Sequence, residues 1–302
     1  MHKRELTSIL TFYAVSPIHA GSGAAVATVD LPIQRERHTG YPHIQASGVK
    51  GALRAHFREF VEHDKKTHES GKKLINLIFG SDSQDDWGKD EDALPGAISV
   101  SDAKLLAFPM RSNVAPFVWV TCPTIMNRLK KDLEFSKIDK IDNPFEVTDE
   151  EAEVLEGDIK KDTQIILEDS IVKVVSEKAT QIKFIKDNFP NIDKLLLISD
   201  EMFDYCVSSC TEIQTNIKID SKTGTATDGA LRYQEFLPAD SVVYSIVYYS
   251  KQHLDNDLHA NVIKDFVENT IKDFIQIGGD ETLGKGVCKI NWININGNNG
   301  GN

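Results

Sequence analysis

Residues 15–54 read VSPIHAGSGAAVATVDLPIQRERHTGYPHIQASGVKGALR, and the rest of the chain is organised around them. Just before them, ELTSILTFYAV (5–15) mixes β-branched, aromatic and leucine residues at strand length, which predicts a first strand ended by Pro17. The run from Ser16 to Thr39 is long for a connection inside a domain, and such loops are usually functional or disordered. YPHIQA (41–46) suits a short extended piece. Ser47 then predicts an N-cap, with a helix from about Gly48 to His63 that places Val49, Leu53, Phe57 and Phe60 or Val61 on one face. Lys50 and Arg54, at i and i+4, fall together on the other face near the helix start.

Working outward, a second helix is expected over 71–79, an acidic linker over 81–93, and strands over 96–107 and 114–121. Pro123 suits the first position of a helix reaching about 134. The stretch from about 130 to 163 reads as an acidic, peripheral insertion, because residues 130–169 hold six basic against fourteen acidic groups, a net of −8. A hairpin is expected over 164–175, and helices over 178–188 and 199–207, split by Pro190. Residues 211–249 read as two strands around a Gly/Thr-rich tip, a protruding hairpin at about 211–240, followed by the apolar strand 241–249. A last helix is expected over 258–276, then Gly278-Gly279, a final strand and a disordered tail at 297–302. This order fits one α+β domain over 1–296 with a ferredoxin-like core and helical insertions.

Composition narrows the function classes. With 302 residues, 40% hydrophobic, the chain can bury one large core. No run of 18 apolar residues is present, and MHKRELTSILTFYAV carries no signal-peptide cleavage pattern, so a cytoplasmic protein is expected. The four cysteines lack zinc-ribbon spacing and read as reduced thiols. A net charge of −12 argues against nonspecific nucleic-acid binding by the whole surface. Residues 1–60, however, carry seven Lys/Arg against four Asp/Glu, a net of +3 on one stretch.

Several groups, most of them in that stretch, suit a nucleic-acid-facing surface. Asp30 between Val29 and Leu31 reads either as a turn former or as a group that holds a metal or moves a proton. Arg35, Arg37 and His38 form a basic cluster with Glu36 inside it, which suits a phosphate contact or a solvated ion pair. Ser47-Gly48-Val49-Lys50-Gly51 combines free helix-start amides with a lysine one turn in, the makings of an anion site. Gly21-Ser22-Gly23 is half of a dinucleotide fingerprint, but Val26 stands where its third glycine belongs. GDETLGKG (279–286) misses the phosphate-binding P-loop pattern at Gly286, which replaces the magnesium-binding hydroxyl. It reads either as a turn closing the last helix or as a glycine loop admitting a phosphate backbone, with Gly279 and Lys285 in contact. His19 is either a packed core histidine or a site residue.

Three blocks together, 15–54, 215–238 (TNIKIDSKTGTATDGALRYQEFLP) and 275–287 (IQIGGDETLGKGV), resemble the RAMP (repeat-associated mysterious protein) superfamily. Within it they are similar to the backbone subunits of the type III-B CRISPR effector, the Cmr complex. The resemblance implies a modified ferredoxin-like, RNA-recognition-motif palm with a thumb-like hairpin. It implies copies stacked in a helical filament on a CRISPR guide RNA beside other Cmr subunits, with no membrane partner. It further implies a metal-dependent endoribonuclease of antiviral defence that cuts complementary target RNA at regular intervals. The resemblance makes Asp30 catalytic and the ligand of a divalent ion such as Mg2+, sets His19 and Glu235 near the cut, and gives Lys50 the guide backbone. Gly21, Ser22, Arg35, Arg37, His38, Ser47, Arg54, Gly279 and Lys285 complete the expected RNA-facing set. The competing expectation is an architectural RNA-binding subunit whose Asp30 only shapes its loop.

Overall fold

A computed structural model describes residues 6–24, 29–62, 68–81, 95–138, 141, 144–177, 183–227, 231–252 and 258–294. The expected linker at 81–93 and the tail at 297–302 lie almost wholly or wholly outside them. In chain order the elements are β1 (Leu6–Ala14), β2 (His43–Ile44), α1 (Ala46–Glu62), α2 (His68–Phe79), β3 (Ile98–Val100), β4 (Ala103–Arg111), β5 (Phe117–Thr121) and α3 (Pro123–Ser136). Then come β6 (Glu151–Glu156), β7 (Gln164–Leu167), β8 (Ser170–Glu177), α4 (Lys183–Asn188), β9 (Leu195–Leu197), α5 (Asp200–Ser209), β10 (Glu212–Asn216) and β11 (Arg232–Phe236). The chain closes with β12 (Val242–Tyr249), α6 (Ala260–Thr270), β13 (Phe274–Gln276) and β14 (Val287–Ile293). The protein is α+β, built on one large mixed sheet; among the described residues no helix is long and apolar enough to cross a membrane.

The sheet runs β13-β14-β1-β12-β4-β5-β9-β6-β8-β7, with β2 added on β4 and β3 on β12. β1 is central because it can be buried on both faces: Ile9, Leu10, Phe12 and Ala14 are all inaccessible. It pairs antiparallel with β12 (Ile9 opposite Ile246) and with β14 (Ile9 opposite Ile293). α1 covers one face through Val49, Leu53 and Phe57, four residues apart and all buried. Phe57 stacks edge-on against Phe79 of α2 at 5.2 Å and meets Phe266 of α6 at 5.5 Å, which ties three helices together.

Four expectations change. The acidic stretch is not wholly peripheral: β6 lies inside the sheet between β8 and β9, with Ala152, Val154 and Leu155 buried. Its net charge comes from the residues around this apolar strip. Leu195–Leu197, not anticipated, forms β9 parallel to β5; a three-residue apolar run has no period to read. The last helix stops at Thr270, and 274–276 turns back as β13 against β14. Ser47 is inside α1 rather than capping it: the helix begins at Ala46, whose N–H donates to Asp102 Oδ1 at 2.7 Å.

Candidate RNA interface and cleavage site

β10 and β11 form a separate antiparallel ribbon, from Glu212 opposite Phe236 to Asn216 opposite Arg232. Beyond it the tip is held by a bridge between Ile219 and Ala226. At the turn Asp220 Oδ1 accepts the N–H groups of Lys222 and Thr223 at 2.7 and 3.2 Å. Ile213, Ile217, Ile219, Leu231 and Tyr233 leave much of their apolar surface exposed along the ribbon and its tip.

The long loop after β1 docks on the outer edge of β11. Asp30 Oδ2 accepts the Tyr233 N–H at 2.8 Å. Leu31 N–H donates to Tyr233 O at 3.1 Å, and Glu235 N–H donates to Leu31 O at 3.0 Å. Leu31 thereby bridges parallel to Gln234, a short third strand on the ribbon. Further along the same edge, His19 Nδ1 lies 2.8 Å from Glu235 O, and Ile18 and Leu237 exchange two backbone bonds of 2.9 Å. Asp30 and His19 thus attach two residues apart on one strand, about 7 Å along it. A carbonyl only accepts, so Nδ1 carries the hydrogen, and whenever the ring is neutral Nε2 is the acceptor.

Glu235 is buried and both oxygens of its carboxylate are engaged. Oε2 accepts Ile33 N–H at 3.0 Å, and Oε1 accepts Thr211 Oγ1 at 2.8 Å and Arg35 Nη2 at 2.6 Å. Arg35 Nη1 donates to Gly40 O and Val207 O, each at 3.0 Å. Glu235 and Arg35 both face inward, onto each other, an orientation that does not suit Arg35 as an RNA contact.

The 279–286 loop joins β13 to β14, so it follows a strand and does not close the last helix. It clamps the 17–19 segment: Gly279 N–H donates to His19 O and Gly286 N–H to Pro17 O, each at 2.9 Å. Gly278, at φ +90, approaches so closely that a Cβ there would lie 2.6 Å from His19 O. On the ring side, a Cβ at Gly21 would lie 2.7 Å from His19 Nε2. The buried Phe236 ring meets His19 at 5.5 Å between centroids and carries Lys285 Nζ 4.8 Å from its centre. Gln234 links the ribbon to the same loop by donating to Asp280. Ser22 is exposed and spends its hydroxyl on Pro32 O at 3.2 Å.

Around the helix start, Lys50 is half-buried beside Arg54. Burial, and then the Arg54 charge, push its ammonium below the usual lysine range. Arg54 Nη2 donates to Asn76 Oδ1 at 2.8 Å. Ser47 and Gly48 are exposed in the first turn. Arg37 and His38 are exposed. Glu36 turns away from solvent to Arg128, with bonds of 2.7 and 3.0 Å, and to Thr39 at 2.6 Å. Burial alone would raise the Glu36 carboxyl, but Thr39 and Arg128 outweigh it and hold it below the usual range.

Residues 11–289 match the family described as the RAMP superfamily. The chain belongs to the RAMP superfamily. Over 304 residues this RAMP protein is 34% identical to the CRISPR system Cmr endoribonuclease Cmr4 of Pyrococcus furiosus, a match covering 97% of each. The crystal structure of oligomeric Cmr4 from Pyrococcus furiosus superposes with a TM-score of 0.70 at 27% identity, covering 96% of this chain and 99% of that one. A chain of the type III-B Cmr-beta complex bound to cognate target RNA shares the fold, with a TM-score of 0.75 at 20% identity over 96% of this chain and 98% of that one.

In this RAMP chain the loop residues with chemistry to spare are Asp30, through Oδ1, and His19, through Nε2; neither atom has a hydrogen-bond partner among the described residues. Thr211, Gln234 and Tyr233 were not anticipated as parts of the site. Tyr233 acts through its backbone, so its side chain carries no signal; Thr211 has no local pattern to mark it. Among the described residues no three His, Cys, Asp or Glu side chains form a metal cage.

Proposed function

We propose that this chain is a guide-RNA-binding backbone subunit of a type III-B CRISPR effector and the endoribonuclease that cuts the complementary target, in copies stacked along the guide beside other Cmr subunits. The observation that carries the reading is the Asp30 loop docked on the hairpin edge. It joins a carboxylate to the element that would part the target from the guide.

The palm reading is supported by the sheet order β14-β1-β12-β4, antiparallel throughout, with α1 between β1 and β4 and α6 between β12 and β14. That is the ferredoxin-like arrangement. The ribbon β10–β11 with its exposed apolar tip is the thumb. Lys50, a cation half-buried beside Arg54, is a ready site for a guide phosphate. Exposed Arg37 and His38 add to the same electrostatic surface.

In the reaction the target's 2′-hydroxyl attacks the adjacent phosphorus while the P–O5′ bond breaks. The products are a 2′,3′-cyclic phosphate and a 5′-hydroxyl. The protein's task is to hold one splayed nucleotide in line and to move the proton. Asp30 Oδ1 and His19 Nε2 are the acceptors at hand. Asp30, with its Oδ1 unpartnered among the described residues, would hold a divalent ion such as Mg2+, which would supply positive charge against the phosphate. Lys285, held over Phe236 beside His19, offers a further cation to the backbone.

The test is a reconstituted complex given an end-labelled complementary target. Cuts at regular intervals, absent with a non-complementary strand, are expected. An intact complementary target in a fully assembled, Mg2+-supplied complex contradicts the reading.

A further inference from the structure

We infer that Arg35 is a positioning residue for the cleavage loop, acting through Glu235, and not a contact to RNA. The inference rests on the reading that Asp30 serves cleavage. Arg35 lies five residues after Asp30 in the same loop, and its guanidinium is spent inside the protein on Gly40 O, Val207 O and Glu235 Oε1. Its side chain is only 25% exposed, and that of Glu235 8%. Glu235 in turn holds Ile33 N–H through Oε2. Ile33 is where the loop is pinned from both sides: it bridges Gly21, against which His19 packs, and it lies two residues from Leu31, which bonds β11 beside Asp30. Thr211 Oγ1, immediately before β10, bonds the same carboxylate. One largely buried ion pair therefore joins the Asp30 segment, the His19 segment, the end of α5 and the ribbon.

The pair has a recognisable energetic signature. Removing the arginine leaves a buried carboxylate without its cation, which costs more than removing both charges together. An arginine on RNA would behave differently, because each lost phosphate contact lowers the slope of log affinity against log salt by about 0.7 for a single strand.

The experiment compares Arg35→Gln, Glu235→Gln and the double variant in the assembled complex. It reads guide affinity across a salt series, single-turnover cleavage at saturating target, and amide hydrogen exchange at Leu31 and Ile33. Arg35→Gln is expected to slow cleavage about 10-fold or more and to speed exchange at both amides. Its guide salt slope and target affinity stay as in the parent. The double variant is expected to cut faster than Arg35→Gln alone. Arg35→Lys, which keeps the cation and loses the fork, is expected to fall between. A salt slope reduced by about 0.7, with exchange at Leu31 and Ile33 unchanged in Arg35→Gln and Arg35→Lys, overturns the inference. Undiminished cutting by Asp30→Asn would instead contradict the underlying reading, whereas the exchange at Ile33 reports on Arg35 whichever group does the cutting.

Discussion

Asp30 Oδ2 sits 2.8 Å from the backbone nitrogen of Tyr233, so the loop carboxylate is anchored directly to the hairpin strand β11. One oxygen is used for the anchor and the other has no hydrogen-bond partner among the described residues. Movement of the hairpin would therefore be felt at Asp30 without any intervening side chain.

His19 should be sensitive to its glycine neighbour. Gly21→Ala places a Cβ 2.7 Å from Nε2, at a backbone conformation alanine accepts. The ring must shift, and target cleavage is expected to fall about 10-fold while guide binding is kept. Equal single-turnover rates for variant and parent would show that the imidazole position does not matter.

Two glycines of the β13–β14 loop separate backbone strain from steric clash. Gly284 has φ +72 and open space around a built Cβ; Gly286 has φ +74 and would put its Cβ 2.1 Å from Ile277 O. Gly284→Ala should cost about 1 kcal/mol, the left-handed penalty alone. Gly286→Ala should cost about 3 kcal/mol or more, because backbone must move. Thermal melts should show Gly286→Ala lowering Tm at least twice as far.

Lys50 is expected to trade stability for binding. Burial and Arg54 lower its folded pKa, so the unfolded chain holds this proton more tightly than the folded one. Its contribution therefore makes stability rise with pH from the lowered value up to about 10.4. Lys50→Met should raise Tm at neutral pH, and the gap should close as pH climbs through that window. The same variant should weaken guide binding about 10-fold and cut the salt slope by about 0.7. A melt shifted downward and a slope left intact would remove Lys50 from the guide site.

The sequence made much of this legible, because the signals were local. β1, α1 with its Val49-Leu53-Phe57 face, and the hairpin of 211–240 follow from period, length and turn chemistry. Where distant partners decide, the sequence is silent. Arg35 in QRER reads as basic surface until Glu235, 200 positions away, is found beside it. Glu235, set near the cut by resemblance, gives no local sign that Ile33, Thr211 and Arg35 engage both of its oxygens. Ser47 reads as a cap because nothing local reveals that Asp102 meets Ala46. The β9 leucines and the β6 strip were missed because a short apolar run has no period and a charge average hides one.

Chelation should separate the two activities of the surface. With EDTA in excess, cleavage is expected to stop and guide binding to persist, since Lys50 and Arg54 need no ion. Adding Mg2+ should restore cutting. Cutting that continues undiminished in EDTA would leave Asp30 as a proton acceptor only.

The most direct measurement is target cleavage by Asp30→Asn in the assembled complex. An asparagine carbonyl can still accept the Tyr233 N–H, so the loop stays anchored and only the charge and its spare basic oxygen are lost. Guide binding and assembly should match the parent, and cleavage should fall at least about 100-fold. Parental cleavage rates in a correctly assembled Asp30→Asn complex would contradict the catalytic role of Asp30.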